Sequence, residues 1–295
     1  AAARRAGASR LVALVPTDRE ATAVRAAGLA DTVVVADARD PLAVATAVGG
    51  QVDVTVVCVD VPGCLTVEAA YGVVNNYYLR SGSGVFHFYD SDGAILAVIP
   101  HPADSLVFRA IVPGVNLTFN TTDSLGSAAL TVGSLTNTAE TPDSIVVKNI
   151  NSSSSVTLVS NGSITEGGSD AAADISASSI ILSAASGVGT PGNAIETQTG
   201  LIEAETTTGG INIANVGDLQ VGGFSADVDG LDVVTSGDIL LTNLGNITLS
   251  DETSFDSVHG GDASGNVTLI ANGYDSDITS NVDQSAIIAP RGGVS

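Results

Sequence analysis

Three histidines are the first place to look for catalysis: His87, His101 and His259. Nucleophilic chemistry needs a serine or cysteine beside a histidine that an acid orients. His87 sits in an aromatic stretch, His101 lies between Pro100 and Pro102, and His259 opens the run His259-Gly260-Gly261-Asp262. That last cluster is the most suggestive, yet its composition is that of a solvated glycine-rich loop. No G-x-S-x-G elbow occurs, so no catalytic residue is assigned.

The acids Asp218, Asp238, Asp251 and Glu252 fall near predicted chain corners. Glycoside hydrolysis would need two of them paired at a defined separation. Polysaccharide lysis would need a cationic base, and beyond Arg109 the chain offers Lys148 and Arg291 alone. Calcium needs several converging oxygens, and the glycine-rich calcium coil pattern G-G-x-G-x-D is missing. Weak calcium binding by scattered carboxylates is the most this supports; no metal ligand set and no cofactor are expected. Cys58 and Cys64, the two cysteines, make neither a disulfide framework nor a zinc site. They read as one buried strand thiol and one loop thiol. Six N-x-S/T sequons (Asn116, Asn120, Asn151, Asn161, Asn246, Asn266) follow from a composition rich in Ser, Thr and Asn.

Charge divides the chain. Residues 1–64 carry six Arg against seven acids, whereas residues 111–295 carry two bases against 21 acids, which is −19 of the total −22. Such asymmetry points to two pieces of different character. The acidic piece has no basic patch to neutralise phosphates, which excludes nucleic acid as a partner. No run approaches the roughly 18 apolar residues of a membrane span. The chain begins without Met or a signal sequence, so its first residue is read as internal to a longer product, and localisation rests on the repeat region.

The elements that must position these residues change along the chain. In residues 1–64, Leu11–Pro16, Thr32–Ala36 and Val52–Val59 read as buried strands. Asp18–Gly28 and Asp40–Val48 read as helices, with Asp18 an N-cap and Pro41 in the first turn. Near-continuous aliphatic strands joined by helices predict βαβ units with a parallel sheet. The segment ARRAGASRLVALVPTDREATAVRAAGLADTVVVADARDPLAVA, followed by VDVTVVCVDVPG, resembles the middle of the dinucleotide-binding domain of the L-erythro-3,5-diaminohexanoate dehydrogenases, NAD(P)-dependent enzymes. The resemblance implies a Rossmann-like fragment with Asp18 as a candidate ribose-binding acid. It begins after the point where the first strand and its Gly-rich turn would lie. Without that turn, no backbone amides meet a pyrophosphate, so a working dehydrogenase is not expected. A junction of unrelated coding segments near Cys64 is an open alternative.

In residues 65–115, Tyr71, Tyr77, Tyr78, Phe86, Phe88 and Tyr89 make up six of the eleven Phe and Tyr residues of the chain. Asn76–Leu79, Val85–Tyr89 and Ile95–Ile99, separated by Ser81–Gly84 and Ser91–Gly93, predict a β-meander or a cap on a solenoid end.

From 116 to 295 the texture repeats. Val156-Thr-Leu158, Ile180-Ile-Leu182, Ile211-Asn-Ile213, Ile239-Leu-Leu241 and Val267-Thr-Leu269 start 24, 31, 28 and 28 residues apart. A further aliphatic follows in four copies, at Ile164, Val188, Leu219 and Ile247; in the fifth it is delayed to Ile278. A period of 20–50 residues marks a repeat architecture, and alternation of two within each copy makes the unit strands. A unit of about 28 residues suits a coil of two or three short strands, stacked about 4.8 Å from the next so that inward aliphatics form ladders. An antiparallel sandwich of hairpins competes, but does not predict the recurring pair. The fold class is therefore mainly β, a parallel β-solenoid (β-helix) with a small N-terminal α/β fragment.

The stretch IILSAASGVGTPGNAIETQTGLIEAETTTGGINIANVGDLQV is similar to filamentous-haemagglutinin-like and large repetitive bacterial surface proteins, chiefly through GVGTPGNAIET, GGINI and GDLQV. That resemblance implies a non-catalytic, structural or adhesive segment, extracellular or at the bacterial cell surface, meeting a host or matrix surface through carbohydrate or protein. A fragment of an NAD(P)-dependent oxidoreductase is the first alternative and a carbohydrate-active β-helix enzyme the second.

Overall fold

The computed structural model describes residues 12–15, 21–22, 25–26, 32–35, 54–57, 64–69, 75–82, 85–89, 95–100, 105–110, 115–120, 124–250, 257–281, 286–290 and 292–295. Every described strand except the first two belongs to one of two long sheets. The chain alternates between them. Ser105–Ala110 lies in the first sheet and Val115–Asn120 in the second, then Ala129–Val132 in the first and Ser144–Asn151 in the second. Each strand pairs in parallel with its counterpart one coil away. The protein is a parallel β-solenoid.

Alternation in the sequence explains why. In Leu130-Thr131-Val132 and Val156-Thr157-Leu158 the aliphatics point inward and the threonines outward. Stacked in register, Leu106, Leu130, Val156, Ile180 and Ile202 form one ladder in the first sheet. Leu117, Ile145, Ile164, Val188 and Ile211 form another in the second. All ten are buried and belong to one core. Burying each such side chain contributes about 1.5–3 kcal/mol, so every coil adds its own share of stability. Phe108 and Phe119 meet edge to face, 5.6 Å between ring centres, and bring together a strand of each sheet.

The five aliphatic pairs expected to share one ladder are split between the sheets. Val156 pairs with Ile180 in the first sheet, whereas Ile211, Ile239 and Val267 pair in the second. Both inner faces demand the same alternation, so a local V-x-L pair does not identify its sheet. Coil length also shifts, from 22 residues between Ile180 and Ile202 to 28 between Ile211 and Ile239. The delayed fifth copy keeps its register, because Ile278 pairs with Ile247.

Corners are tight enough to constrain the neighbouring coil. Gly237 has φ +144°, and a Cβ there would collide with the backbone nitrogen of Gly210. Glycine is needed both for that dihedral and for the backbone-to-backbone approach.

Solenoid pairing also reaches back before residue 116. Cys64–Ala69 pairs in parallel with Ser105–Ala110, and Asn75–Gly82 with Val115–Asn120. Asn75–Gly82, Val85–Tyr89 and Ile95–Pro100 form an antiparallel meander at the edge of the second sheet. Region 65–115 thus supplies both a coil and the meander.

Nearer the N-terminus, Val12–Val15 pairs in parallel with Thr32–Val35. Residues 21–22 and 25–26 between them are helical, and Arg25 Nη2 donates to the Val33 carbonyl at 3.2 Å. The third strand expected in this small sheet does not join it: Val54–Val57 pairs antiparallel with Cys64–Ala69, at the end of the first solenoid sheet. Only six residues separate those two strands, too few for the crossover that parallel pairing requires. The helix expected at 40–48 lies outside the described residues. No described helix is long and apolar enough to cross a membrane.

Candidate functional site

The second sheet is interrupted in two successive coils. One coil contributes Ser163–Glu166 and Ile175–Ser176, the next Gly187–Val188 and Ile195–Gln198. Uninterrupted strands lie on either side: Ser144–Asn151 pairs with both halves of the first coil, and Ile211–Val216 with both halves of the second. Residues 167–174 and 189–194 therefore leave the sheet as loops while the ladders around them continue.

Glu166, Asp174 and Glu196 stand at the necks of these loops, and one carboxylate oxygen from each lies within 4.8 Å of the others. Asp174 is 3% exposed and Glu166 8%. The parallel stack sets the arrangement: Asp174 N donates to the Glu196 carbonyl at 2.8 Å, and Glu196 N donates to Asp174 Oδ2 at 3.0 Å. Glu166 Oε1 accepts from Asp170 N at 3.3 Å. Glu166 Oε2 and Glu196 Oε2 are buried without a hydrogen-bond partner. Asn193 Nδ2 donates to the Gly168 carbonyl at 3.0 Å and joins the two loops.

The electrostatics are unfavourable as the side chains stand. Among the described residues no Lys or Arg forms an ion pair with the three carboxylates. Burial above all pushes the Asp174 carboxyl up to about 8, with the Glu196 and Glu166 carboxylates adding to it. Glu196 is raised too, again chiefly by burial. Buried charge of one sign is costly unless it is paired, protonated or coordinated to a cation.

The acids singled out in the sequence behave differently. Asp218 Oδ1 accepts from Asn246 N and Nδ2, each at 3.0 Å, and Asp238 Oδ1 accepts from Asn266 N at 2.7 Å and Nδ2 at 3.2 Å. Asn246 and Asn266 pass the link on, their Oδ1 atoms accepting from Asp277 N and Gly293 N at 2.9 Å. These corner acids clasp one coil to the next. Asn161 works likewise, donating to the Thr138 and Thr141 carbonyls. These three sequon asparagines therefore hold coils together, as do Asn116 and Asn151, whose Oδ1 atoms accept from Ser144 Oγ and Ser124 Oγ.

His259 lies on the short strand Val258–His259 and not in a loop. Its Nδ1 is 2.8 Å from Asp232 Oδ1, its register partner on the preceding coil, and its Nε2 is 3.5 Å from Asp262 Oδ1. The outward column continues backwards from Asp232 to Glu205. Burial raises the Glu205 carboxyl, and Asp232 and Asp229 add to it. His87 lies on the strand Val85–Tyr89 and Cys64 opens Cys64–Ala69. Asp18, Cys58, His101, Asp251 and Glu252 lie outside the described residues.

Sequence reasoning missed the carboxylate triad. Its members are 8 and 22 residues apart, and only stacking of coils brings them together. One local signal existed: Glu166 occupies the inward phase two residues after Ile164, opposite the buried Val147. An acid at a ladder position is either a flaw or a site.

Comparison with protein-family models, with curated proteins and with solved structures gives no match.

Proposed function

We propose that this chain is a non-catalytic rod segment of a bacterial surface or secreted repeat protein, displaying a binding surface along its coils. The observation that carries this reading is the use made of the polar residues. Asp218, Asp238, Asn161, Asn246 and Asn266 are engaged coil to coil, and so is His259. A surface that spends its chemistry on stacking suits extension and rigidity. The similarity of residues 180–221 to repetitive surface proteins supports the same reading. Adhesion to a carbohydrate or protein of a host or matrix surface would then be the task of its outward faces and loops.

A carbohydrate-active enzyme is the second reading, favoured by the outward column Glu205, Asp232, His259 on the first sheet. The experiment applies the purified chain to immobilised glycans and matrix proteins, with NAD(H) calorimetry and polysaccharide depolymerisation assays alongside. Binding to a surface without turnover is the expected result. Cleavage that is lost in His259→Ala would establish the enzyme instead, and NAD(H) heat would revive the dehydrogenase fragment.

A further inference from the structure

The carboxylate triad at the loop necks has no counterpart among the coil-to-coil clasps. We propose that Glu166, Asp174 and Glu196 form a calcium site that locks the loops 167–174 and 189–194 onto the solenoid. Three features lead there. The donor oxygens lie within 4.8 Å of one another, and ligands sharing one calcium at 2.3–2.6 Å stand up to about 5 Å apart. Two of the three clustered carboxylates carry a buried oxygen with no hydrogen-bond partner, Glu166 Oε2 on a residue more than nine-tenths buried. No Lys or Arg among the described residues forms an ion pair with them, although the Lys148 stem packs against Gly167 beside Glu166.

The donor chemistry narrows the ion. An all-carboxylate set selects a hard cation over zinc or copper. The ligands come from two loop necks on adjacent coils, which suits the irregular shell of six to eight oxygens around calcium better than the strict octahedron of magnesium. Backbone carbonyls of the loops and water would complete the shell. Fully ionised, the carboxylates would bring three negative charges together, with Glu166 and Asp174 buried, and a bound cation would supply the compensation that lets them ionise. Bound there, it bridges residues 8 and 22 positions apart and closes both loop necks at once, much as Asn193 already ties the loops through Gly168.

The test is titration of the full chain with calcium chloride in a chelator-stripped buffer, followed by calorimetry and thermal melting, for wild type, Glu166→Gln and Glu196→Gln. One ion per chain is expected, with Kd within about 10⁻⁵ to 10⁻³ M, a higher Tm with calcium than with chelator, and a smaller response to magnesium. Each Gln variant should weaken binding by about tenfold or more, as loss of one carboxylate ligand implies, and should lose the calcium-dependent rise in Tm. Circular dichroism without metal keeps the variants interpretable, because a folded variant that still binds like wild type refutes the site. Should a variant fail to fold, protection of residues 167–174 from proteinase K by calcium in the wild type decides the matter, and cleavage unaffected by calcium overturns the proposal. Equal, weak, multi-ion binding in all three chains would also overturn it, because the whole acidic surface would then be responsible.

Discussion

At the scale of single residues, the polar side chains inside the coil matter most. Thr197 Oγ1 donates to Asn215 Oδ1 at 2.8 Å, Asn215 Nδ2 donates to Asn243 Oδ1 at 2.9 Å, and Asn243 Nδ2 donates to the Asn246 carbonyl at 2.8 Å. All three side chains are buried. The column stops at Ala271, the next register position, so an alanine fits sterically at such a corner. Asn243→Ala should therefore cost through stranded hydrogen-bonding groups and not through a clash. Leaving the Asn246 carbonyl short of its donor costs about 1–3 kcal/mol, read as a lower urea midpoint. Asn266→Ala, on the exposed clasp, should cost about 1 kcal/mol or less. Equal losses would mean that burial of the column is irrelevant.

Glu205 gives a residue-scale prediction in pH. Its folded carboxyl is raised above the ordinary glutamate range by burial and by Asp232 and Asp229. The folded chain thus holds a proton that the unfolded chain has released, and stability falls as pH rises through that window. Glu205→Gln removes the liability. Its Tm should exceed that of wild type at pH 7, and the gap should close as pH drops below the ordinary glutamate range, where Glu205 is protonated in both the folded and the unfolded chain. A gap that does not change with pH would show that Glu205 acts through packing instead.

At the scale of elements, much was legible. Alternation of Val, Ile and Leu at near-constant spacing was enough for the stacked coils, and the meander strands were visible as aromatic and aliphatic runs between glycine turns. Two things were not. Sheet membership was hidden, since Val156-Thr-Leu158 and Ile211-Asn-Ile213 obey the same inward alternation in different sheets. The carboxylate triad was hidden because the interruption after Glu166 breaks the phase on which the repeat was read. Asp18, to which a family resemblance gave a role, lies outside the described residues. Register makes its own prediction here. Ile211, Ile239 and Val267 occupy equivalent positions, so deleting residues 239–266 should bring Val267 directly onto Ile211. In a repeat array stability is close to a sum over neighbouring coils, and the shortened chain should fold with the same β-sheet circular dichroism and a modestly lower melting temperature. Deletion of about 14 residues from 239 onward instead, half a coil, should unpair the coils that follow while the earlier ones keep theirs, read as a larger loss of β-sheet circular dichroism than the full-coil deletion gives.

At the scale of the whole molecule, charge is the dominant unmet demand. Residues 111–295 carry 21 acids against Lys148 and Arg291. The ion pairs among the described residues are few: Arg109 with Glu140, and the contacts of His259 with Asp232 and Asp262. Parallel stacking sets equivalent positions about 4.8 Å apart, far inside the Debye length of about 10 Å at 0.1 M salt. Like charges on successive coils therefore repel at short range, as in the column that joins Glu205 to Asp232. The unfolded chain escapes this by expanding, so repulsion weighs against the folded state. Sodium chloride raised from about 0.01 to about 0.5 M in the presence of a chelator should raise the melting temperature, because screening weakens repulsion more than it weakens these few ion pairs. Potassium chloride should match it, which separates screening from specific ion binding. A melting temperature that falls with salt would mean that attractive pairs, and not the acidic columns, govern the electrostatics of the rod.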